Sequence, residues 1–360
     1  MATLWETNAG EIVKALSAER RIAGAVAFGV VLTLVLVVDE RRAEEAMAAA
    51  AEGAAAHPCR LLVVIRRRPD ASAARLDAEV RVGGHLGTSE AVVLRMYGRL
   101  ARNAESVVLP LLAPDSPVVT WWYGPPPQKT GVDPLGALAT RRITDTAQAA
   151  NPLRALKERG ADYSPGDTDL AWTRCTPWRS VLAAAFDSIT GQPATARVEA
   201  EIGNPSAALL AGWLKCRLGI EVDSASSAGP GITEVSIRVD PAQDILAEDA
   251  GGDEEPVEIR LTRHDGRTAV LARSRQPERY LPLARRETGD LIGEELRRLD
   301  ADQIYAATLA ATTGRRIAAT PPTASQISRG ASNRRSSPPP RTPREATIER
   351  AARTRQGRAD

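Results

Sequence analysis

The fold turns on one stretch, Ile22 to Ile65, which reads IAGAVAFGVVLTLVLVVDERRAEEAMAAAAEGAAAHPCRLLVVI. Its first part, Ile22 to Val38, is 17 nearly unbroken apolar residues, the lower limit of length for a spanning helix. The run is rich in Val, has no small-residue cleavage pattern, and stops at the charged residues Asp39, Glu40, Arg41 and Arg42. Val favours a pleated, buried strand, so the run predicts a central strand that does not use its whole length. The Ala-rich segment Arg41 to Ala56 then predicts a helix capped by Asp39 and barred by Pro58, and Leu61 to Ile65 a second buried strand. Strand, helix and strand in this order form a β-α-β unit, which requires a crossover and therefore parallel strands in a sheet covered on both faces.

Working outward, Glu11 to Arg20 is a short amphipathic segment before the apolar run. Arg75 to Val82 alternates Leu76, Ala78, Val80 and Val82 with other residues, the period of a half-exposed edge or antiparallel strand. Glu90 to Leu112 starts as a strand and changes to helical spacing near Gly98, and Ser116 to Tyr123 is a Pro-led strand closed by Gly124 and three prolines. Helices are expected at Pro152 to Arg159 and Thr176 to Phe186. A smaller α/β pattern follows: strand Thr195 to Ile202, helix Pro205 to Leu218, and strand Ile232 to Val239. A hairpin turning at Asp265 and Gly266 joins Val257–Leu261 to Thr268–Ala272, and a last helix runs from Asp290 to Leu309. Residues 223–231 and 247–256 read as loops.

The expected architecture is therefore α/β: an N-terminal domain over residues 1–190 and a smaller one over 191–311, both with mixed sheets. A disordered tail, residues 312–360, is expected from its Pro, Ser, Thr and Arg content. Residues 311–360 carry eleven Arg and no Lys against three acidic residues, a net of +8, so the other 310 residues hold −6 of the overall +2. A mildly acidic body argues against a dedicated nucleic-acid-binding fold.

Chemistry-bearing motifs are sparse. Cys59, Cys175 and Cys216 are odd in number and far apart, which fits neither a disulfide framework nor a zinc knuckle and suits a reducing, cytoplasmic compartment. His57, His85 and His264 have no partners at metal-ligand spacing, and no phosphate loop or nucleophile elbow is present. Gly83, Gly84 and Gly87 lack dinucleotide spacing and read as a turn. His57 and Cys59 can share a face, but Pro58 and the start of a buried strand favour packing. The expectation is no catalytic residue, no metal and no cofactor.

Aromatic usage stands out, with six Trp against two Phe and four of the Trp at positions 121, 122, 172 and 178. Trp121 and Trp122 point to opposite faces of their strand, so one ring is accessible unless both faces are covered. Arg141, Arg142 and Asp145 follow, and two arginines can clamp a phosphate or a partner carboxylate. Packing and an internal ion pair at a solvated strand end is the other reading. These five residues form the expected binding region for a partner or ligand.

Several blocks in order carry a resemblance: HPCR (His57–Arg60), SPVVTWWYGPPP (Ser116–Pro127), RRITDT (Arg141–Thr146), DLAWTRCTPWRSVLAAAFD (Asp169–Asp187) and NPSAALLAGWL (Asn204–Leu214). Together they resemble the OpcA family, across about residues 1–310. The resemblance implies a non-catalytic assembly factor and allosteric activator of glucose-6-phosphate dehydrogenase in the oxidative pentose phosphate pathway. The alternative is an enzyme or sensor that binds a sugar phosphate through the Trp and Arg cluster.

Overall fold

A computed structural model describes residues 1–23, 30–55, 57–83, 90–186, 191–241 and 255–315. The chain opens with β1 (Ala2–Leu4), α1 (Ala9–Ile22), β2 (Leu32–Val38), α2 (Ala43–Ala54), β3 (Cys59–Arg66), β4 (Arg75–Val82) and β5 (Glu90–Tyr97). Two single-turn helices, α3 (Arg99–Arg102) and α4 (Glu105–Val108), precede β6 (Val118–Tyr123), α5 (Pro134–Ala137), β7 (Arg141–Thr144), α6 (Pro152–Asp162) and β8 (Asp167–Asp169). These eight strands make one sheet in the order β1-β4-β5-β3-β2-β6-β7-β8. From β5 to β8 every neighbouring pair is parallel, while β4 runs antiparallel to β5.

Ranked by position in the chain, the six parallel strands run 3-2-1-4-5-6, the doubly wound order of dinucleotide-binding sheets. Both faces are covered, so the central strands are apolar on both sides. Leu34, Leu36, Val63 and Trp121 face the core beneath α2, whereas Val35, Leu62, Val64 and Leu94 pack with Ile12 and Leu16 of α1. The apolar run divides: α1 ends at Ile22, β2 begins at Leu32, and residues 24–29 lie outside the described residues. Among the described residues no helix is long and apolar enough to cross a membrane. A turn at Glu40–Arg42 intervenes before α2, and Asp39 makes no side-chain capping bond, so the cap expected there is absent.

Next come α7 (Leu170–Thr173) and α8 (Thr176–Phe186), then β9 (Gln192–Ala200), α9 (Pro205–Leu218), β10 (Val222–Ser226), β11 (Ile232–Asp240), β12 (Val257–Arg263), β13 (Thr268–Arg273) and β14 (Gln276–Pro282). They form a second sheet, β10-β9-β11-β12-β13-β14, in which only β9 and β10 are parallel. Residues 223–231 are thus not all loop. Val222–Ser226 pairs beside β9 because α9 supplies the crossover, and as an edge strand it needs few large apolar residues. The Asp265 turn forms as expected, with Asp265 Oδ1 accepting from the Arg267 and Thr268 backbone N–H groups at 2.6 Å.

The single helix expected over Asp290 to Leu309 is two, α10 (Thr288–Arg297) and α11 (Gln303–Thr313), with Asp302 capping the second through Ile304 N and Tyr305 N. They do not both close the second sheet. Leu291, Ile292 and Leu296 of α10 join the core beneath the first sheet, and Leu309 of α11 joins that of the second. Small residues permit the α2–α10 contact, since a Cβ on Gly53 would lie 2.8 Å from Ile292 Cγ2 and 2.9 Å from the Gly289 carbonyl. The tail boundary also shifts, because α11 continues through Thr312 to Thr313. Residues 316–360, most of the 247–256 segment, Gly84, His85 and Gly87 lie outside the described residues.

Candidate functional site

In a doubly wound sheet, ligands bind beyond the carboxyl ends of the strands, where the chain order reverses. Here that point lies between β2 and β6, at Asp39 and Gly124. Beside it a crevice of about 530 Å³ is lined by Arg42, Gly124, Pro125, Asp145, Gln148 and Arg159, among others. The turn after β2, Asp39-Glu40-Arg41-Arg42, has no glycine, so side chains stand where a dinucleotide turn brings backbone against the pyrophosphate. Glu44 and Glu45 occupy the first turn of α2, the wrong charge for a phosphate site.

Tyr123 fills the switch point. The Arg42 guanidinium carbon lies 4.2 Å from its ring centroid, and its hydroxyl donates to Glu45 Oε1. Burial raises the Tyr123 pKa, with the Glu45 bond adding to it. Arg42 also donates to Gln148 Oε1 at 2.8 Å, tying the start of α2 to the loop after β7. Across the crevice Arg159 donates to the Pro127 and Gln128 carbonyls at 3.3 and 3.0 Å and pairs with Asp162 at 3.4 Å. Its Nη1 is buried without a partner.

Of the five residues singled out from sequence, Asp145 alone lines the crevice. Its Oδ1 accepts from Ala147 N, its Oδ2 from Gln148 Nε2, and Arg174 grips both oxygens at 2.7 and 2.8 Å. Beneath it Asp169 is fully buried and accepts from Thr144 Oγ1, Thr146 Oγ1, Thr146 N and Ala171 N. Burial, with the Asp145 charge second, pushes the Asp169 carboxyl up to about 6. The Thr144 and Thr146 hydroxyls both donate to this carboxylate, leaving neither poised as a nucleophile.

The other four residues are internal. Trp121 and Trp122 are 0% and 2% exposed, because helices cover both faces of β6, so the accessible ring expected at a strand end is absent. Their indole N–H groups are buried without partners. Arg141 and Arg142 are likewise buried rather than at a solvated strand end, and neither pairs with Asp145. Arg141 clamps Glu295 of α10, donating from Nε at 2.8 Å and also from Nη2, and reaches the Asp300 carbonyl at 2.9 Å. Arg142 pairs with Asp167 and donates to the Ala139 and Pro165 carbonyls. The clamp on a carboxylate exists, but the carboxylates belong to the same chain.

Two of the three thiols are poorly placed for chemistry, while Cys216 is exposed on α9, its Sγ 3.4 Å from the Ala307 carbonyl. Cys59 is buried at the start of β3, and burial pushes Cys175 up to about 12. Among the described residues no group of three or more His, Cys, Asp or Glu could hold a metal ion. Sequence reading missed Arg42, Gln148 and Arg159, which come from three separate segments with no spacing to link them. The one available signal was Asp39–Arg42, directly after the first long strand.

Residues 50–161 match the family model of the glucose-6-phosphate dehydrogenase subunit N-terminal domain, and residues 165–309 that of its C-terminal domain. The OxPP cycle protein OpcA of Synechocystis sp. is 27% identical over 194 residues, which cover 50% of this chain and 41% of that protein. Its namesake from Synechococcus elongatus is 29% identical over 174 residues, covering 45% of this chain and 39% of the relative. The chain thus aligns with less than half the length of these relatives. Glucose-6-phosphate 1-dehydrogenase from Mycobacterium avium superimposes with a TM-score of 0.35 at 10% identity, over 79% of this chain and 90% of that one, too low to support an argument.

Proposed function

The chain belongs to the OpcA family of glucose-6-phosphate dehydrogenase subunits, and from that premise we propose that it is a non-catalytic cytoplasmic partner that promotes assembly and activation of this dehydrogenase. The observation that carries the non-catalytic half is the switch point. A doubly wound sheet is kept, yet the turn that would take a dinucleotide is Asp-Glu-Arg-Arg, the following helix opens on Glu44 and Glu45, and Tyr123 with Arg42 fills the gap. A turn without glycine and a helix N-terminus that already carries Glu44 and Glu45 do not offer a pyrophosphate the backbone cradle it needs.

The Trp121 to Asp145 region enters this reading through its loops. Gly124, Pro125 and Asp145 line the crevice, whereas Trp121, Trp122, Arg141 and Arg142 hold the strands that carry it. A partner that binds the competent oligomer better than the free subunits shifts its population by mass action.

The test is a titration of the cognate dehydrogenase, assayed and sedimented with and without this protein across enzyme concentrations. Alone, the protein is expected to turn over no glucose 6-phosphate. Added to dilute dehydrogenase, it is expected to raise the rate and the fraction sedimenting as the larger species, with the gain fading at high enzyme concentration. An unchanged rate and sedimentation profile throughout refutes the reading.

A further inference from the structure

Behind the Asp145–Arg174 pair lies a second cavity of about 340 Å³, at the end of the second sheet where β11 begins and β12 ends. Four arginines line it: Arg174, Arg263, Arg285 and Arg286. Arg174 is neutralised by Asp145 and Arg286 by Glu294. The other two have no carboxylate within ion-pair distance among the described residues. Arg263 donates from Nε to the Ile232 carbonyl at 3.3 Å and from Nη1 to the Leu283 carbonyl at 2.8 Å, and Arg285 donates from Nη2 to the Pro230 carbonyl at 2.8 Å. Burial lowers the Arg263 pKa, the charge of Arg285 lowers it further, and Asp265 offsets part of this.

Backbone carbonyls leave each guanidinium with donors to spare and without a bonded carboxylate. An anion entering the cavity meets both needs, and an oxyanion with several terminal oxygens matches the fork geometry of two guanidinium groups. Among the described residues the one carboxylate on the lining, Glu201, is solvent-exposed and accepts from Asn204 Nδ2 at 3.1 Å. Beneath the charge, Trp178 is buried, and the Arg263 guanidinium carbon lies over its ring, 5.3 Å from the centroid, which fixes the arginine in place. The volume sits at the lower end of the range for small-molecule sites.

We propose that this cavity binds a small phosphomonoester metabolite, its phosphate between Arg263 and Arg285. The Thr146–Gln148 turn separates the two cavities, since Gln148 lines both and Arg174 reaches from one wall to grip Asp145 on the other. An occupied cavity therefore fixes the loop that forms the crevice floor, which gives the proposed partner contact a metabolite input.

The experiment uses the full chain without dehydrogenase, so its failure and that of the activator reading are separate results. Calorimetric titration and thermal melting are run with a hexose 6-phosphate, the same hexose unphosphorylated, and inorganic phosphate, each at millimolar concentration. The hexose phosphate is expected to bind and raise Tm, inorganic phosphate to bind more weakly, and the free hexose not to bind. Arg285→Gln, an exposed residue with one carbonyl bond, is expected to melt like wild type without ligand and to bind the ester about tenfold more weakly, as the loss of one charge-assisted bond implies. No binding of the ester, or equal binding by Arg285→Gln, overturns the site. Equal binding of inorganic phosphate and ester overturns the metabolite and leaves an anion site only.

Discussion

The two sheets bury charge in opposite ways. In the first, ionised side chains lie under the helices: Arg141 with Glu295, Arg142 with Asp167, and Arg60 with Glu90. In the second, the face away from the helices carries Arg197 with Glu199 and Arg260 with Glu234 and Glu258, all of these arginines in solvent. Along β11 the alternation of a sheet with one wet face is clear: Val235, Ile237 and Val239 are buried while Arg238 is exposed. The difference separates charges that define the fold from charges that keep a surface wet, although both kinds look alike in sequence.

The largest effect is expected where burial is deepest. Arg141→Ala leaves Glu295 buried and unpaired, and should cost about 3–5 kcal/mol in urea denaturation. Replacing Arg141 and Glu295 together by Met and Leu should recover most of that loss, because an apolar pair carries no desolvation cost. Recovery would show that the pair joins β7 to α10 without being indispensable to either. A double variant as unstable as the single one would mean that geometry, and not charge, holds the two sheets' shared helix.

Asp169 comes next, and pH reads it. With a folded pKa of about 6, above the roughly 3.9 of an unfolded Asp, the native state binds the extra proton between those values. Its contribution to stability is therefore complete below about pH 4 and lost as pH rises through about 6. Asp169→Asn turns an amide N–H toward donors and should cost about 1–3 kcal/mol at low pH. The gap from wild type should narrow as pH rises to about 7, since only wild type loses stability over that interval. A gap independent of pH would show that Asp169 titrates normally.

How far the sequence was legible follows the same division. The parallel strands Leu32–Val38 and Cys59–Arg66 are apolar on both faces, so composition alone located them and implied the covered sheet. Trp121 and Trp122 belong to that same logic: adjacent rings on a strand covered twice are both core. What stayed hidden were pairings across the chain. Glu295 lies 154 residues from Arg141, so nothing near Arg141 distinguished an internal ion pair from a clamp for a ligand. The crevice was invisible for a related reason, since Arg42, Gln148 and Arg159 meet only after strand order is known. Val222–Ser226 escaped because an edge strand needs no apolar signal.

The smallest effect belongs to the open face of the second sheet, and it tests the comparison most directly. Arg260 lies 2.8 Å from Glu258 and 3.6 Å from Glu234, a geometry that on distance alone resembles the buried pairs. Water and salt screen it, and ordering a long side chain offsets most of the Coulomb gain. Arg260→Ala should therefore change stability by no more than about 0.5 kcal/mol, against several for Arg141→Ala. High salt should erase even that difference, while leaving the cost of Arg141→Ala nearly intact because a buried pair is screened much less. A cost for Arg260→Ala approaching that of Arg141→Ala would place this face under another layer in the folded protein, and the contrast between the two sheets would fail.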